Sequence, residues 1–303
     1  MKRKKNLPIG ERVFFSVNTL IMICLLVVML YPFWYCIIVS FSDANDFLKG
    51  PLYLWPRKFT LENYDFVLSS NLFGVAIRNS VFRTVLGTVL HCVFTGAAAY
   101  GLSRPNLLYR KFYTTVFVIT MYFGGGLIPT YLLYRNLGLI DNFLIYIIPS
   151  MFSFYNCILF MSFYESIPAS LEESARMDGA NTLTIFFKII VPVSKPIFAT
   201  VALYSIVGQW NAWFDTLTFT KSKSLTTLQS MMAEMLQAAE NMEKLIQQLS
   251  ATGATGANLA VADVSPMTVR VATMVITTFP IVVVYPFFQK YFVKGIMLGS
   301  VKG

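Results

Sequence analysis

The sequence predicts an all-α, polytopic membrane protein, and three observations support this prediction. Of the 303 residues, 56% are hydrophobic and only 13% are charged, whereas a soluble domain usually has roughly 25% charged residues. The mean hydropathy is +0.61. Six separate segments are each apolar over the ~20 residues that a helix needs to cross a bilayer. This composition excludes disordered, collagen-like and small secreted scaffolds.

Each of the six predicted spans is a long apolar run, and its ends are defined to within several residues. They cover residues 14–41, 77–102, 113–134, 143–164, 197–219 and 269–289. The first span is longer than the apolar core of a signal peptide, and no small-residue cleavage site follows it, so we expect it to remain in the membrane. An even number of spans places both termini on the same side.

The distribution of basic residues predicts which side that is. Fourteen Lys and Arg residues lie before the first span, after the last span and in the second-to-third and fourth-to-fifth connections, against seven in the other loops. Cytoplasmic loops of membrane proteins carry the excess of basic residues. Both termini are therefore predicted to be cytoplasmic. The net charge of +9 is explained by these loops, and no nucleic-acid partner is expected.

The chain is expected to form one transmembrane domain, residues 14–296, between a cytoplasmic N-tail (1–13) and a C-tail (297–303). Its longest external segment is 220–268. Apolar residues recur there at steps of three and four over 225–249, which predicts an amphipathic helix. That helix either lies on the bilayer and the neighbouring spans or docks an external partner, and the sequence leaves both possibilities open.

No catalytic or metal-binding constellation is present in the sequence. The chain lacks G-x-x-x-x-G-K-[S/T], so it cannot hold a nucleotide in the usual Walker manner. Its single histidine, His91, lies inside the second span without partners for a metal cluster or a Ser-His-Asp triad. We interpret His91 as a neutral residue bonded to a neighbouring helix. No metal and no cofactor are expected to bind this chain.

Two spans have features of a translocation pathway. In the third, Gly124, Gly125 and Gly126 precede Pro129, which predicts an unwound or bent segment. Close helix packing on small residues is the alternative. The fifth span contains amide and indole side chains, with Asp215 nearer its outer end: Gln209, Trp210, Asn211 and Trp213. Such groups either bond to neighbouring helices or line a cavity.

The loop between the fourth and fifth spans, residues 168–196, reads PASLEESARMDGANTLTIFFKIIVPVSKP. Ser170 and Glu173 have the spacing of a capping box, which predicts a helix start. Asp178-Gly179 predicts the end of that helix, and a second helix follows. Three residues are compatible with one packed face: Ala175, Met177 and Ala180. A projecting helix–turn–helix is a docking element or a solvated connector.

This loop resembles the EAA loop of permeases from binding-protein-dependent ABC importers. The motif reads E-A-A-x-x-x-G, followed after nine residues by I-x-L-P. The matching residues here are Glu173, Ser174, Ala175, Gly179, Ile189, Val191 and Pro192. Ser174 for Ala and Val191 for Leu are conservative departures that keep the spacing. DGA at 178–180 is similar to the form common in sugar importers.

Other stretches resemble maltose-type permeases, the carbohydrate uptake transporter 1 family, along nearly the whole chain. They are NSVFRTVLGTVL and AAAYGLSR (79–104), LGLIDN (137–142), QWNAWF (209–214) and the last 17 residues. The stretch FGGGLIPTYLLYRNLGL further resembles a branch that handles larger or modified oligosaccharides.

The resemblance implies the type I ABC importer permease fold and half of a translocation pathway for a carbohydrate, namely an oligosaccharide. It implies a second homologous permease, a dimer of ABC ATPases that use ATP and Mg, and an extracellular sugar-binding protein as partners. Closure of the ATPases would drive alternating access. The chain itself would not be an enzyme, and it would lie in a bacterial or archaeal cytoplasmic membrane.

The resemblance also implies roles for particular residues. Coupling to the ATPase would involve Glu172, Glu173, Ser174, Ala175, Asp178, Gly179 and Ala180. The C-tail contact to the ATPase would involve Gly299, Ser300, Val301, Lys302 and Gly303. The substrate pathway would include Gly124, Gly125, Gly126, Gln209, Trp210, Asn211 and Trp213. An ABC permease for a non-sugar solute is the alternative function, followed by a gradient-driven carrier, for which His91 and Asp215 offer little.

Overall fold

The structure is a computed structural model that describes residues 8–47, 49–50, 52–251 and 266–299. Throughout these residues the regular structure is helical. No β-strand occurs in the described ranges, and one isolated bridge pairs Ser42 with Phe59. The all-α prediction is therefore confirmed.

The helices follow one another with short connections. In chain order the described residues form α1 (Ile9–Ser40), α2 (Ala44–Phe47), α3 (Glu62–Leu68), α4 (Asn71–Ser103), α5 (Arg110–Tyr122), α6 (Leu127–Asn136), α7 (Phe154–Glu165), α8 (Ser170–Met177), α9 (Thr182–Ile185), α10 (Val191–Val193), α11 (Lys195–Asn211), α12 (Phe214–Phe219), α13 (Leu228–Ala251) and α14 (Pro266–Gly299). Three 3₁₀ turns cover Phe143–Tyr146, Ile148–Ser150 and Lys223–Leu225, and a π-helical turn covers Phe186–Ile190.

Three of the described helices are long and apolar enough to cross a bilayer unbroken: Ile9–Ser40, Asn71–Ser103 and the Met267–Val284 part of α14. Three further pairs of helices meet the same criterion together, each bent at a short break. Counting each pair as one span gives up to 6, the predicted number. The third pair, Thr182–Val193 with Lys195–Asn211, begins before the predicted span 197–219 and includes the second helix of the 168–196 loop. The orientation of the termini stays a prediction based on the basic residues.

The third span is bent, as the glycine run predicts. α5 and α6 are bent by 115° at their break. Gly126, the residue before α6, has φ +82°, a left-handed value that glycine adopts without steric cost. Pro129 lies in the first turn of α6, where its missing N–H leaves no helical bond unmade. The glycine and proline residues of this segment therefore determine the bend.

The fifth span is broken at a position that the sequence pattern does not predict. α11 ends at Asn211, Ala212 is extended (φ −73°, ψ 120°), and α12 begins at Phe214. The prediction of one helix over 197–219 is therefore wrong in its last third. The break is stabilised by an arginine from α4, described below.

The chain divides into two compact units. The first contains residues up to Ser69 and those from Met235 to Ile276, and the second contains the rest. In the first unit, Asn63 of α3 donates from Nδ2 to the carbonyls of Ser40 (3.0 Å) and Ser42 (2.9 Å). Its Oδ1 accepts from the Thr268 hydroxyl at 2.7 Å. This buried amide therefore joins the end of α1 to α14.

In the second unit, α4 packs closely against α11 because two glycines of α4 lie at the contact between them. A Cβ placed on Gly87 would lie 2.5 Å from Nε2 of Gln209, and one on Gly96 would lie 3.1 Å from the ring of Phe198. Contacts under 3.0 Å force a shift. The absence of a side chain at Gly87 therefore determines how closely the two helices approach.

We expect Gly87→Ala to lower the stability of the protein by about 1–3 kcal/mol, because the new methyl group displaces the hydrogen-bonded amide of Gln209. Gly101→Ala, in the same helix with open space around its Cα, should instead stabilise by roughly 0.5–1 kcal/mol. Thermal unfolding of the detergent-purified variants measures both. Equal shifts in the two variants would contradict this packing argument.

A carboxylate joins the turn after α6 to the turn after α12. Asp141 has φ 56°, and its N–H donates to the carbonyl of Phe219 at 2.9 Å. Its Oδ1 accepts from the backbone N–H groups of Lys221 (2.9 Å) and Ser222 (2.8 Å), and its Oδ2 accepts from the Ser222 hydroxyl (2.6 Å). These bonds, the Ser222 hydroxyl first, lower the pKa of Asp141 from its ordinary value of 3.8.

Because folding lowers the pKa of Asp141, this residue contributes stability above pH ~4 that is lost as the pH falls through the lower, folded-state pKa. We therefore expect Asp141→Asn to lower the unfolding temperature at neutral pH. The difference from wild type should shrink below pH ~4. Thermal unfolding across this pH range measures the effect, and a constant difference at every pH would refute it.

Candidate functional site

A buried arginine in the middle of a span is the centre of the polar site. Arg83 of α4 is 2% exposed. It pairs with Asp215 through Nη2–Oδ2 (2.5 Å) and Nη1–Oδ1 (3.2 Å). Its Nε donates to Oε1 of Gln209 and its Nη1 to the carbonyl of Ala212, both at 3.2 Å. The guanidinium carbon lies 4.4 Å from the centre of the Tyr146 ring.

These contacts explain the break in the fifth span. Ala212 is the extended residue after α11, so its carbonyl oxygen needs a hydrogen-bond donor from outside the helix. Arg83 supplies that donor. Asp215 lies in the first turn of α12, where the helix dipole favours a negative charge. Arg83 thus joins α4 to both sides of the break.

A cavity of about 410 Å³ lies beside this group, within the second unit. Its wall combines aromatic rings with hydroxyl, amide and charged groups. The lining residues are Arg83, His91, Tyr134, Ile145, Tyr146, Pro149, Ser150, Phe152, Ser153, Asn156, Ser205, Gly208, Gln209, Ala212, Asp215 and Phe219.

The buried polar groups of this wall bond to one another. Gln209 donates from Nε2 to the Ser150 hydroxyl (2.6 Å) and to the Tyr146 carbonyl (3.3 Å). Nδ1 of His91 lies 2.7 Å from the carbonyl of Ser150, and Nε2 lies 2.8 Å from Nδ2 of Asn156. A neutral imidazole with its proton on Nδ1 satisfies both bonds. His91 therefore bonds to neighbouring segments, as the sequence interpretation has it.

The structure brings only one of the predicted pathway residues to this cavity. Gln209 lies in its wall. Trp210 is buried and donates to the carbonyl of Thr277 at 2.9 Å, away from the cavity. Asn211 accepts from Nε2 of Gln229 at 3.4 Å, and Trp213 is 43% exposed.

The three glycines of the bent third span also lie outside the cavity wall. Gly124, Gly125 and Gly126 are exposed at the break between α5 and α6. The contribution of all these residues to substrate passage stays a prediction.

Arg83 is not singled out as a site residue by the sequence analysis. A signal was present. Arg83 and Asp215 lie at similar depths from the same end of two antiparallel apolar segments, 77–102 and 197–219. Two opposite charges at one depth in a membrane protein indicate a pair, because an isolated charge there is costly.

The loop between the fourth and fifth spans forms the predicted helix–turn–helix. α8 ends at Met177, and Gly179 has φ +80°. The N–H of Ala180 donates to the Ala175 carbonyl (2.9 Å), and that of Gly179 donates to the Arg176 carbonyl (3.0 Å). This is a Schellman motif, which requires the left-handed residue that glycine supplies.

The second helix of the loop begins with a side-chain cap. Oδ1 of Asn181 accepts from the backbone N–H of Thr184 at 2.8 Å. The chain then continues through α9, the π-helical turn and α10 into α11. The predicted second helix is thus confirmed.

One face of α8 packs on the second unit and the other is exposed. Glu172 and Ala175 are buried, at 7% and 8% exposure. The adjacent Glu173 and Ser174 are exposed, as are Asp178 and Gly179, and Ala180 is half-buried. The loop therefore presents a polar outer surface while its inner face is fixed to the protein.

Two details of the loop prediction are wrong. Ser170 is not an N-cap: Ala169 precedes α8 with helical dihedral angles (φ −59°, ψ −30°), and no side chain caps the helix. Instead, the carbonyl of Pro168 already accepts from Leu171 N–H, and that of Ala169 from Glu172 N–H. Met177 is 88% exposed and does not share the packed face, since the Schellman turn directs the chain away after it.

The predicted C-tail contact falls almost wholly outside the described residues. Gly299 is the last residue of α14. Ser300, Val301, Lys302 and Gly303 lie beyond the described ranges, so the contact and the 296/297 boundary stay predictions.

Apolar spans, a polar cavity among them and an exposed two-helix loop define an integral-membrane transport permease. Residues 12–298 match the family described as binding-protein-dependent transport system inner membrane component. Since the match covers nearly the whole chain, this protein belongs to that family. It is an inner-membrane permease subunit of a binding-protein-dependent transport system, and it has the ABC importer permease fold.

Its relatives are bacterial transport permeases. The chain is 34% identical over 272 residues to the polygalacturonan/rhamnogalacturonan transport system permease protein YtcP of Bacillus subtilis strain 168, covering 90% of this chain and 92% of the relative. It is also 34% identical over 292 residues to protein LplC of that organism, covering 96% of each. A chain from the crystal structure of a bacterial ABC transporter involved in import of the acidic polysaccharide alginate matches with TM-score 0.82 and 32% identity, over 94% of this chain and 99% of that one.

Removing one partner of the buried pair should be more harmful than removing both charges. We expect Asp215→Asn to destabilise the protein by about 3 kcal/mol, because it leaves the charge of Arg83 uncompensated. The double variant Arg83→Met with Asp215→Asn should recover part of that loss. Thermal unfolding in detergent measures both.

The exposed pair of Arg110 with Glu165 provides the control. Their side chains are 34% and 48% exposed, so Glu165→Gln should change stability by less than about 1 kcal/mol. If Asp215→Asn were as mild as this control, Arg83 would not depend on its carboxylate.

Proposed function

We propose that this chain is a permease subunit of an ATP-driven importer and forms half of the translocation pathway for an oligosaccharide. The observation that carries the proposal is the geometry of the 168–196 loop. Its inner face is packed, its outer face is exposed, and its turn has the left-handed glycine at the EAA position. A surface of this kind suits a rigid docking element for a separate subunit.

The proposed energy source is a dimer of ABC ATPases that use ATP and Mg. The ATPase would bind the exposed side of α8 and its turn, through Glu173, Ser174 and Asp178. A rigid Schellman turn keeps these groups in fixed positions, so that a movement of the ATPase moves the loop as a unit. That movement would switch the spans between inward- and outward-facing states. This chain then contributes coupling and passage, and no catalysis.

The proposed substrate is an oligosaccharide from an acidic polysaccharide. Two similar proteins, at 34% and 32% identity, are named for transport of polygalacturonan and rhamnogalacturonan and for import of alginate. The cavity wall suits a carbohydrate, since Tyr134 and Phe152 offer ring faces and Ser153 and Ser205 offer hydroxyl groups. Gln209, Trp210, Asn211, Trp213 and Gly124 to Gly126 are proposed to border the path.

The proposed complex contains further subunits. A second homologous permease completes the pathway, and an extracellular sugar-binding protein delivers the substrate, as the family description of binding-protein-dependent transport supports. The complex would lie in a bacterial cytoplasmic membrane with the 168–196 loop and both termini in the cytoplasm, where the basic residues favour them.

The test is purification of the tagged chain in mild detergent from its native membranes, followed by uptake assays in proteoliposomes. We expect a second permease and an ATPase to co-purify, and ATP-dependent uptake of oligogalacturonate or alginate oligosaccharides. Neutral arabino-oligosaccharides and peptides complete the panel. Preferred uptake of a peptide would support the non-sugar permease, and uptake that persists with the ATPase inactivated would support a gradient-driven carrier.

We expect Gly179→Asp to reduce uptake to below about a tenth of the wild-type rate, which corresponds to about 1.4 kcal/mol or more in activation free energy, while the chain still enters the membrane. The substitution strains the left-handed turn and adds a charge to the docking surface. Gly138 is the matched control, since it also has positive φ (+67°) and open surroundings. Gly138→Asp should retain most uptake, and equal losses in both variants would contradict the coupling role.

A further inference from the structure

The two adjacent acids of the loop face opposite ways. Glu173 is exposed, whereas Glu172 is 7% exposed and faces the end of α4. Nη1 of Arg104 donates to Oε1 of Glu172, and the hydroxyl of Tyr100 lies 3.3 Å from Oε2. Glu172 therefore uses both carboxylate oxygens within this chain.

The arginine that Glu172 meets is itself fixed in place. Arg104 donates from Nε and Nη2 to the Ser103 hydroxyl at 3.2 and 3.1 Å, and from Nε to the Tyr100 carbonyl at 3.3 Å. Its guanidinium carbon lies 4.4 Å from the centre of the Tyr100 ring. A side chain with this many contacts has little freedom, so the ion pair is a defined joint and not a mobile surface contact.

The positions of the two charges also match the dipoles of both helices. Glu172 lies in the first turn of α8, where a negative charge is favoured, and Arg104 caps the C-terminal end of α4, where a positive charge is favoured. α4 is a single helix from Asn71 to Ser103. At 1.5 Å per residue, about 30 Å of helix separates Arg104 from Arg83. One rigid element thus links the loop to the polar site.

We propose that Glu172 and Arg104 are positioning residues that transmit movement of the loop to α4, and through α4 to the break held by Arg83. This inference rests on the proposed function, because it assumes that an ATPase moves the loop. The proposal gives the two acids different roles. Glu173 faces the ATPase, and Glu172 attaches the loop to the helix that lines the cavity.

A neighbouring ion pair on the same side of the chain offers a matched control. Arg110 at the start of α5 donates to Glu165 at the end of α7, and their side chains are 34% and 48% exposed. Exposed pairs of this kind contribute little. Arg110 also donates from Nε to the carbonyl of Leu102 at 2.7 Å, so the control changes only the carboxylate. Glu165→Gln should leave transport close to the wild-type rate.

The test compares Glu172→Gln, Glu172→Arg, Arg104→Glu and the reversed pair Glu172→Arg with Arg104→Glu in the purified complex. Two quantities are measured: the ATPase retained per permease chain, and the ATP hydrolysed per oligogalacturonate taken up in proteoliposomes. Glu172→Gln should retain the ATPase but raise the ATP-to-sugar ratio by roughly fivefold or more, the low end of coupling free energies between sites. The reversed pair should restore the ratio. Glu173→Lys should instead lose the ATPase.

Three results would overturn the proposal. Glu172→Gln could match wild type in both quantities, or it could lose the ATPase as Glu173→Lys does. The single charge reversals could fail to accumulate in the membrane while the reversed pair restores only accumulation, which would make the pair a folding contact. A wild-type complex without ATP-driven sugar uptake would contradict the proposed function instead, and ATPase retention would still distinguish the roles of the two acids.

Discussion

The structure of the second unit depends on the compensation of one buried charge. Arg83 lies at depth in an apolar helix, where an unpaired guanidinium would be costly. A carboxylate, an amide oxygen and a backbone carbonyl surround it, and all three belong to the end of the fifth span or follow it. The carbonyl of Ala212 can leave the helical ladder because Arg83 replaces its lost partner. The break in that span is thus a consequence of the charge.

α4 carries both of the features on which the proposed function depends. Its C-terminal end meets the inner face of the loop through Arg104, and its middle holds Arg83 and His91 in the cavity wall. Glycines at 87 and 96 let neighbouring helices approach it closely. An unbroken helix with fixed contacts at both positions is suited to move as a body, because packed helices shift between discrete arrangements and do not deform continuously.

The features that the sequence predicts correctly are local ones. The glycine run before Pro129 and the Asp178-Gly179 turn each act through their own backbone, so their bends follow from the residues alone. The break after Asn211 is different, because its partner Arg83 is more than a hundred residues away and the hydrophobic pattern continues across it. The pairing of Glu172 with Arg104 is likewise a contact between residues far apart in the sequence. Sequence periodicity shows apolar faces but not which distant charges meet.

The opposed faces of α8 have a consequence for how such subunits can be exchanged. In the proposed complex, the ATPase would contact the outward side chains such as Glu173, while Glu172 is engaged inside its own chain. The exposed side of α8 can therefore stay unchanged when residues on its buried side are substituted together with their contacts on α4. On the proposed function, permeases with different cavities could bind the same ATPase, because the residues that line the cavity lie outside α8.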